Sequence, residues 1–589
     1  MILGRCRWQA FAGKNRMKTT SGVKQTAAKT WDEEIDLLVF GSGAGGLSAA
    51  LFAAKRGLKV IVCEKSPVIG GTTATSGGVV WIPNTAQAKA AGIDDSVEKA
   101  RTYIRHETGN RYRSDLIDAF LESGPKALAE LERDTEVSFD LLAWPDYHPD
   151  QIGALHRGRS LVTKGFDGRR LGKDFERIRP PINRTMVLGG MMVGTADITD
   201  MIKPFKSPST TIKVLKKLGR YASDRRRYAR GTEVQNGNAF VCRLFYSLQE
   251  RRVPVWTEAP LVELIREDGR VVGAIAERDG RAVRIRACKG VILATGGFPH
   301  NAALRAEFAG NYPFSHAMAW KGNTGDGISA ARRIGGHVDE ELASPGLWTP
   351  ASVLTAPDGT EETIIYGYLD RGRPGVIAVN PKGMRFVNES NSYHDVVMAM
   401  YADGYVENNN YYFVCDTNFI RRHGLGLIKP FPLTPRLRPF VKAGYVQVGG
   451  TLAELASTIG VDPAGLEATV ARHNEFARTG IDLDFGKGSN VYNQEFADPD
   501  VKPNGNLAPI RRGPFYALRI YPAALGTVKG LKTTADAQVC LATGEPISGL
   551  YACGNELASI MRGYYPGGGV TLGPAVTFAY RAVTHAAGN

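Results

Sequence analysis

The chain has 589 residues, of which 43% are hydrophobic, and this length predicts two or more structural units with buried cores. Its formal charge of +14 is compatible with binding to an acidic membrane surface or with a basic surface that is simply solvated. The basic stretches lack the interleaved aromatic residues of a nucleic-acid platform, so we expect no nucleic-acid partner. The seven cysteines form no CxxC pair and no apolar run reaches about 18 residues, which argues against a zinc site, a disulfide framework and a membrane-spanning helix.

The first segment, residues 1–32, scatters basic residues along its length and has no compact apolar core. A secretory signal needs such a core, so we expect a disordered basic leader on a cytoplasmic protein. The sequence does not distinguish Met1 from Met17 as the start of translation.

A strand, a glycine-rich turn, a helix and a second strand follow between Ile35 and Lys65. In the turn "GSGAGG", the first glycine permits the tight bend, the second lets the backbone approach a pyrophosphate, and the last lets the helix pack closely on the strand. The helix N-terminus attracts the phosphate, and an acidic residue after the second strand accepts from a ribose hydroxyl. This unit predicts a dinucleotide site that contains Gly41, Gly43, Ala44, Gly45, Gly46, Glu64 and Lys65.

A second loop rich in Gly, Thr and Ser, "GGTTATSGGVVWIPN", runs from Gly70 to Asn84. It favours FAD over NAD, because the longer cofactor needs further backbone and hydroxyl donors beyond the first turn. The alternative is an ordinary surface loop. The loop has no neighbouring histidine, so we expect non-covalent FAD, bound in part by Gly71, Thr72, Thr73, Ser76, Gly77 and Gly78.

A charged insertion at about residues 152–250 is predicted to be helical. Within it, residues 203–230 have Asp224 as their only acid, and Ile212, Leu215 and Tyr221 fall on one side of a helix. This pattern indicates a basic surface helix or a peripheral contact with a membrane or an acidic partner, and we retain both interpretations.

Segments later in the chain have the pattern of further strands of the nucleotide-binding fold and complete it. They predict a doubly wound, Rossmann-like α/β FAD-binding domain at residues 33–298 and 514–589, interrupted by an α+β substrate or capping domain at 299–513. The active site is expected in the cleft between these domains. Further cofactor contacts are predicted at Ala294, Thr295, Gly296, Asp326, Gly554, Asn555, Thr571 and Leu572.

The motifs "GSGAGG", "ATGGF", "NTGDGI", "RFVNES" and "YPGGGVTLGP" together resemble those of the FAD-dependent 3-ketosteroid Δ1-dehydrogenases, a family of the fumarate reductase/succinate dehydrogenase flavoprotein superfamily. The resemblance covers about residues 35–587. It implies a flavin-dependent oxidoreductase of CH–CH groups, which desaturates carbons 1 and 2 of a 3-ketosteroid or a similar apolar cyclic ketone and passes the electrons to a quinone or another acceptor.

The resemblance also implies roles for individual residues. Tyr565 and the backbone N–H of Gly569 correspond to the pair that stabilises the enolate oxygen, and Tyr393 to the tyrosine that removes the proton before hydride reaches N5 of the flavin. Tyr147 is a candidate second group for the base, with His148 as its rival. Each tyrosine also has a purely structural interpretation, because tyrosine is a common packing residue with a polar end.

Two other functions remain open at this point. A fumarate- or enoate-type reductase of the same superfamily would use an arginine as its acid, for which Arg385 and Arg421 are candidates. A flavin-binding protein without turnover would act at a membrane or partner through its basic surface. No HExxH or GxSxG motif supports metal-dependent hydrolysis or serine acyl transfer.

Overall fold

The computed structural model describes residues 30–182, 186–194, 201, 207–407 and 409–588. Residues 1–29 of the predicted leader and residues 203–206 of the basic segment lie outside this range. The described strands are β1 (Glu33–Phe40), β2 (Val60–Cys63), β3 (Val79–Trp81), β4 (Phe139–Leu141), β5 (Ser160–Thr163), β6 (Phe166–Asp167), β7 (Met186–Val187), β8 (Met191–Met192), β9 (Glu233–Val234), β10 (Val255–Trp256), β11 (Leu261–Glu267), β12 (Arg270–Arg278), β13 (Arg281–Leu293), β14 (His316–Ala317), β15 (Gly346–Thr355), β16 (Glu361–Ile365), β17 (Val376–Val379), β18 (Tyr412–Asp416), β19 (Gln447–Gly449), β20 (Phe515–Arg519), β21 (Tyr521–Thr527), β22 (Gln538–Cys540) and β23 (Pro546–Ala552).

Helices connect these strands and cover the sheets. The described α-helices are α1 (Ala44–Lys55), α2 (Ala86–Ala90), α3 (Val97–Thr108), α4 (Ser114–Asp134), α5 (Pro208–Asp224), α6 (Asn236–Glu250), α7 (Ala302–Phe308), α8 (Asp326–Arg333), α9 (Tyr368–Arg371), α10 (Tyr393–Ala402), α11 (Thr417–Arg422), α12 (Arg438–Lys442), α13 (Leu452–Ile459), α14 (Pro463–Thr479), α15 (Val491–Glu495) and α16 (Leu572–Ala587).

The FAD-binding domain is built on a sheet that contains eight of the described strands. Its centre is parallel, in the order β10, β2, β1, β13, β23, and the β11–β12 hairpin pairs antiparallel to the first part of β13. Continuous apolar runs such as Leu37–Phe40 are buried on both faces, as expected for parallel strands covered by other layers. The carboxyl ends of β1, β2, β13 and β23 therefore meet at one edge of the sheet, where the glycine-rich turns follow them.

The capping domain has its own core and two four-stranded sheets, in the orders β14-β21-β15-β16 and β17-β18-β20-β19. Alternate residues of β17 and β18 enter separate hydrophobic clusters on the two faces of the second sheet, as the two-residue period of a strand requires. The first of these clusters also holds most of α10, whose N-terminal residue is Tyr393.

The chain differs from the predicted domain boundary at residue 513. Strand β20 pairs with β18 and β19, and β21 pairs with β14 and β15, so both complete sheets of the capping domain. By strand pairing, that domain extends to Thr527. The sequence did not reveal this because an apolar strand carries no mark of the sheet that it joins.

The predicted helical insertion at 152–250 has mixed secondary structure. It contains α5 and α6, but also β5, which completes a three-stranded sheet with β3 and β4, the β6–β9 pair, and the β7–β8 hairpin. These strands have two to four residues each, which is too short for an alternating pattern to be recognised. Among the described residues, no helix is both long and apolar enough to cross a membrane.

Candidate active site

A cavity of about 840 Å³ lies between the FAD-binding and capping domains. Its lining contains the four candidate catalytic residues Tyr147, Tyr393, Tyr565 and Gly569. It also contains every predicted cofactor residue except Gly46, namely Gly41, Gly43, Ala44, Gly45, Glu64, Lys65, Gly71, Thr72, Thr73, Ser76, Gly77, Gly78, Ala294, Thr295, Gly296, Asp326, Gly554, Asn555, Thr571 and Leu572.

The first glycine turn has the geometry of a phosphate cradle. Gly41 has φ +104°, and a Cβ on it would lie 2.2 Å from the carbonyl oxygen of Ala294, so only glycine fits there. Gly46 instead packs against the turn itself, since a Cβ on it would lie 1.9 Å from the Gly41 carbonyl oxygen. A Cβ on Gly43 would meet only Thr73 Oγ1 at 3.5 Å. The backbone at Gly43 and the first turn of α1 are therefore open to an anionic ligand.

Glu64, at the end of β2, is buried and oriented by three hydrogen bonds. It accepts from the Ser42 N–H at 2.9 Å, the Ser42 hydroxyl at 2.6 Å and the Ser66 N–H at 2.8 Å. Lys65, the next residue, donates from Nζ to Thr324 and Asp326, at 2.7 Å each. The nucleotide end of the cavity thus has a fixed carboxylate and a paired cation.

The second loop joins the glycine turn to the capping side. Thr73 Oγ1 accepts from the Ala44 N–H at 3.0 Å, and Thr72 Oγ1 accepts from the Trp320 N–H at 2.9 Å and from Asn323 at 3.1 Å. A Cβ on Gly71 would meet nothing within 4 Å. Open glycine backbone, ordered hydroxyls and two helix N-termini, those of α1 and α16, fit the length and charge of FAD.

Three tyrosine hydroxyls form a hydrogen-bonded chain in the cavity. Tyr147 donates to Tyr393 at 2.8 Å, and Tyr393 donates to Tyr565 at 2.7 Å. The rings of Tyr147 and Tyr565 stack at 5.3 Å, and Tyr393 stands nearly perpendicular to both. The structure therefore brings together three residues from three distant parts of the sequence.

The Tyr565 hydroxyl and the Gly569 N–H are hydrogen-bond donors without an acceptor among the described residues. Burial and the neighbouring Tyr393 phenol raise the pKa of Tyr565 well above its ordinary value, so the hydroxyl keeps its proton. Within the described part of the chain, no hydrogen-bond acceptor is assigned to the Tyr565 hydroxyl or to the Gly569 N–H. Both groups can donate to a ligand oxygen in the cavity.

Backbone contacts fix the glycine loop that carries these donors. Tyr103 and the Tyr147 N–H donate to the Pro566 carbonyl at 2.6 and 2.9 Å. Ser160 donates to the Gly568 carbonyl at 2.9 Å, and the Trp81 N–H donates to the Gly569 carbonyl at 3.1 Å. The loop is thereby preorganised before a ligand binds.

His148, the rival to Tyr147, does not contact the phenol chain through its ring. Its Nδ1 lies 2.8 Å from Glu107 and its Nε2 lies 3.0 Å from Asp395. Burial opposes the charged ring, but Asp395 and Glu107 outweigh burial and raise the pKa of His148 to about 11. An imidazole that is protonated at neutral pH is unsuited to accept a proton from Tyr393.

The arginines proposed for a reductase lie away from the cavity lining. Arg385 is buried in a network in which it donates to both oxygens of Glu389 at 2.9 Å and to Asp482 at 2.9 and 3.1 Å. Lys487 completes this network at 3.2 Å from Glu389. Arg421 is exposed and lies over the ring of Phe431. Neither arginine is placed to donate a proton in the cavity.

Several residues that shape the site were missed by the sequence analysis. Arg562 is buried at φ +54° and pairs with Asp339 at 2.6 Å beneath the start of the glycine loop. Glu556 is buried and accepts from the N–H groups of Gly297 and Ile328 at 3.0 and 2.7 Å, which positions the two turns that carry the predicted cofactor residues Gly296 and Asp326. Their partners are more than 200 residues away, and no local pattern marks them.

Comparison with known proteins identifies the family to which this architecture belongs. Residues 36–572 match the family described as FAD binding domain. The chain is 39% identical over 556 residues to the 4-oxocyclohex-2-ene-1-carboxylate 5-dehydrogenase of Sinomonas cyclohexanicum, with 93% of this chain and 92% of that protein covered. It is 35% identical over 573 residues to a 3-oxosteroid 1-dehydrogenase of Mycobacterium tuberculosis, with 94% and 98% covered.

A solved structure gives the same result. The 3-ketosteroid delta1-dehydrogenase from Sterolibacterium denitrificans, in complex with 1,4-androstadiene-3,17-dione, matches with a TM-score of 0.86 and 35% identity, and 94% of this chain and 100% of that chain are covered. These similarities confirm the predicted α/β fold class, the FAD cofactor and the assignment as an oxidoreductase of CH–CH groups. The chain belongs to the FAD-dependent 3-ketosteroid Δ1-dehydrogenase family.

Proposed function

We propose that this protein desaturates the carbons next to the carbonyl of a 3-ketosteroid or a similar apolar cyclic ketone. The observation that carries this proposal is the chain Tyr147–Tyr393–Tyr565 in the cavity, with its unused donor at Tyr565 and a second donor at Gly569. The two donors bind the ketone oxygen, and Tyr393 removes the proton from the adjacent carbon.

The donors act by lowering the cost of charge on the ketone oxygen. A proton on a carbon beside a carbonyl becomes acidic only when the resulting enolate is stabilised. Tyr565 keeps its proton because burial holds its pKa high, and the Gly569 N–H is fixed by the loop contacts. Fixed donors in a site that excludes water stabilise developing charge without reorganisation.

Tyr393 requires help to act as a base, because the ordinary pKa of a phenol is about 10. The hydroxyl of Tyr147 lies 2.8 Å from that of Tyr393 and can donate to it when Tyr393 is ionised. Such a hydrogen bond favours the ionised form and lowers the pKa of the base. FAD supplies the hydride acceptor when it is bound, and we propose that it is held without a covalent bond.

The charge of the cavity favours a neutral substrate. Among the described residues that line it, the cationic side chains are Lys65 and Lys164, which pair with Asp326 at 2.7 Å and Asp140 at 3.3 Å. A substrate carboxylate would find no uncompensated cation among these lining residues. We therefore favour a neutral ketone over a carboxylated ring of the kind named for the Sinomonas relative.

An anaerobic reduction experiment tests the proposal. The purified flavoprotein is mixed with 4-androstene-3,17-dione, and loss of the visible band of oxidised FAD is followed for the wild type, Tyr565→Phe and the control Tyr312→Phe. Tyr312 donates to the Ala343 carbonyl and does not line the cavity. We expect bleaching in the wild type and the control, and a rate lower by about 10² to 10³ in Tyr565→Phe.

The substrate class is resolved by a second arm with 4-oxocyclohex-2-ene-1-carboxylate. Faster reduction by this compound than by the steroid would overturn the neutral-substrate argument and keep the chemistry. If neither ketone bleaches a protein that retains FAD, the desaturation proposal is wrong, and oxidation of a reduced dye by fumarate becomes the next test.

We further propose that the electrons leave FAD for a quinone. The cavity has an apolar wall that includes Leu142, Trp144, Met318 and Leu525, and a quinone ring is flat and apolar enough to enter the same space. Reoxidation of the bleached enzyme by a soluble short-chain ubiquinone analogue, faster than by oxygen, is the expected result.

A peripheral membrane contact is also proposed, for a cytoplasmic protein. Helix α5 exposes Ile212 and Leu215, at 53% and 61%, and the hydroxyl of Tyr221 on this helix donates to the carbonyl of Leu188, which is 65% exposed at the hairpin tip. Exposed apolar side chains beside basic residues are typical of helices that lie on anionic membranes. The hairpin is flanked in sequence by Ile182 and Gly194, which line the cavity, so substrate would enter next to this surface.

Co-sedimentation with vesicles tests the contact. We expect binding to vesicles that contain phosphatidylserine, weak binding to pure phosphatidylcholine, and loss of binding in Ile212→Asp/Leu215→Asp. The control is Leu483→Asp, which changes an exposed leucine of the capping domain. Equal sedimentation of all three proteins would refute the contact without affecting the catalytic proposal.

A further inference from the structure

Two parallel contacts join the FAD-binding domain to the first turn of α10. Tyr147 and His148 are consecutive on one side, and Tyr393 and Asp395 lie two positions apart on the other. The phenols meet at 2.8 Å, and His148 Nε2 lies 3.0 Å from Asp395 Oδ2. The second contact therefore lies on the same helix turn that carries Tyr393.

His148 is itself fixed from the FAD-binding domain. Its Nδ1 lies 2.8 Å from both oxygens of Glu107, whose side chain is almost fully buried at the end of α3. Its backbone N–H donates to Tyr103 at 3.4 Å, and Tyr103 in turn holds the Pro566 carbonyl. A ring with a carboxylate at each nitrogen must donate through both, which requires the imidazolium form.

We propose that His148 is a positioning residue for the catalytic base: its ion pairs with Glu107 and Asp395 hold the first turn of α10 so that Tyr147 can donate to Tyr393. This proposal rests on the proposed function, in which Tyr393 removes the proton. A hydrogen bond between two neutral phenols is weak, whereas charge-assisted hydrogen bonds are roughly twice as strong. The ion pair between His148 and Asp395, and not the phenol contact, therefore resists separation of the domains at this point, while Glu107 fixes His148 within the FAD-binding domain.

The predicted signature is a change in the pKa of Tyr393. If the first turn of α10 moves away, Tyr147 no longer stabilises ionised Tyr393, and the pKa of the base rises. Because the pKa of His148 is raised, the ion pairs of His148 with Glu107 and Asp395 stay charged over the working pH range and do not titrate there. The titratable groups that face the phenols and His148 are Glu107, Asp395, His394, Tyr103, Tyr492 and Tyr565.

The experiment measures kcat/KM for the ketone against pH in wild type, His148→Gln and Asp395→Asn. We expect the limb on which activity rises with pH to move upward by about one pH unit in both variants, which lowers kcat/KM about tenfold at neutral pH. The control is His106→Gln, an exposed residue next to Glu107 on α3, for which the profile should not change.

Coupling to Tyr147 separates positioning from general destabilisation. Tyr147→Phe should shift the same limb, and His148→Gln combined with Tyr147→Phe should shift it no further than Tyr147→Phe alone, because the second change acts through the first. Additive shifts, or an unmoved profile in His148→Gln that retains FAD, would overturn the proposal. If His148→Gln does not fold, Asp395→Asn gives the same readout from the capping side.

The failure of this proposal is distinguishable from failure of the proposed function. Full activity in Tyr393→Phe would refute the assignment of the base, and with it the positioning role. An inactive Tyr393→Phe together with a wild-type profile in His148→Gln and Asp395→Asn would refute the positioning role alone.

Discussion

Substitution of Gly569 by alanine should disable ketone binding while the protein still folds. The added Cβ would lie 2.6 Å from Trp81 N and from Val80 C and 2.7 Å from Val79 O, where ordinary contact begins at 3.4 Å. These atoms belong to the backbone of β3, which pairs with β5, so the glycine loop and not the strand must move. The Gly569 N–H is then displaced from the ketone oxygen that we propose it binds together with Tyr565.

Two costs follow from this geometry. At φ +107°, a residue with a Cβ adds about 1–3 kcal/mol of backbone strain, which lowers stability. Loss of one fixed donor to a developing oxyanion costs about 2.7–4 kcal/mol of transition-state stabilisation, which is a rate loss of about 10² to 10³. The matched control is Gly404→Ala, at φ +91° with nothing within 4 Å of its Cβ, which adds strain without a clash.

The assay is the anaerobic rate of flavin reduction by the ketone, with FAD content measured from the same samples. We expect Gly404→Ala to reduce at the wild-type rate and Gly569→Ala to be slower by at least about 10². A Gly569→Ala enzyme that retains FAD and reduces within about threefold of wild type would refute the assignment of this backbone N–H as an enolate donor.

Three further changes have effects that follow from named contacts. Arg562→Leu leaves Asp339 buried without its partner and should lower the free energy of unfolding by about 3–5 kcal/mol in urea titration, whereas the exposed Arg226→Leu should not. Burial lowers the pKa of His394 from 6.5 to about 4. As the pH falls below 6.5, the unfolded chain therefore takes up a proton that the folded protein does not, and stability should fall by about 2 kcal/mol between pH 8 and pH 5 from this group. His394→Gln should remove that part of the pH dependence of the free energy of unfolding. Lys65→Met leaves Asp326 without its ion-pair partner beside the anionic cofactor and should weaken FAD binding about tenfold in a titration of the apoprotein, whereas Lys89→Met, at an exposed position outside the cavity lining, should not.

The nucleotide site was predictable from the sequence because its signal is local. The spacing of Gly41, Gly43 and Gly46 between a strand and a helix predicts both the tight turn and a dinucleotide ligand. The structure places Gly41 and Gly43 in the cavity lining and Gly46 in the packing beneath it. The three candidate catalytic tyrosines were suggested by resemblance, which does not give their contacts.

The contacts among distant residues were not predictable in the same way. Tyr147 and Tyr393 are 246 residues apart, and Tyr393 and Tyr565 are 172 apart, so no periodicity relates them. The structural role of Arg562 was not predicted from the sequence, because its partner Asp339 lies 223 positions away. The structure differs from the predicted domain boundary at residue 513 for a similar reason, because the domain to which β20 and β21 belong is decided by the strands with which they pair.

The division of the phenols between two domains has a consequence for the order of events in a catalytic cycle. Tyr393 enters the cavity from the capping domain, whereas Tyr147 and Tyr565 are part of the core of the FAD-binding domain. A movement that separated the two domains at this point would take Tyr393 away from both of its hydrogen-bond partners. The proposed base is therefore hydrogen-bonded to both phenols only while the two domains are in contact at this point.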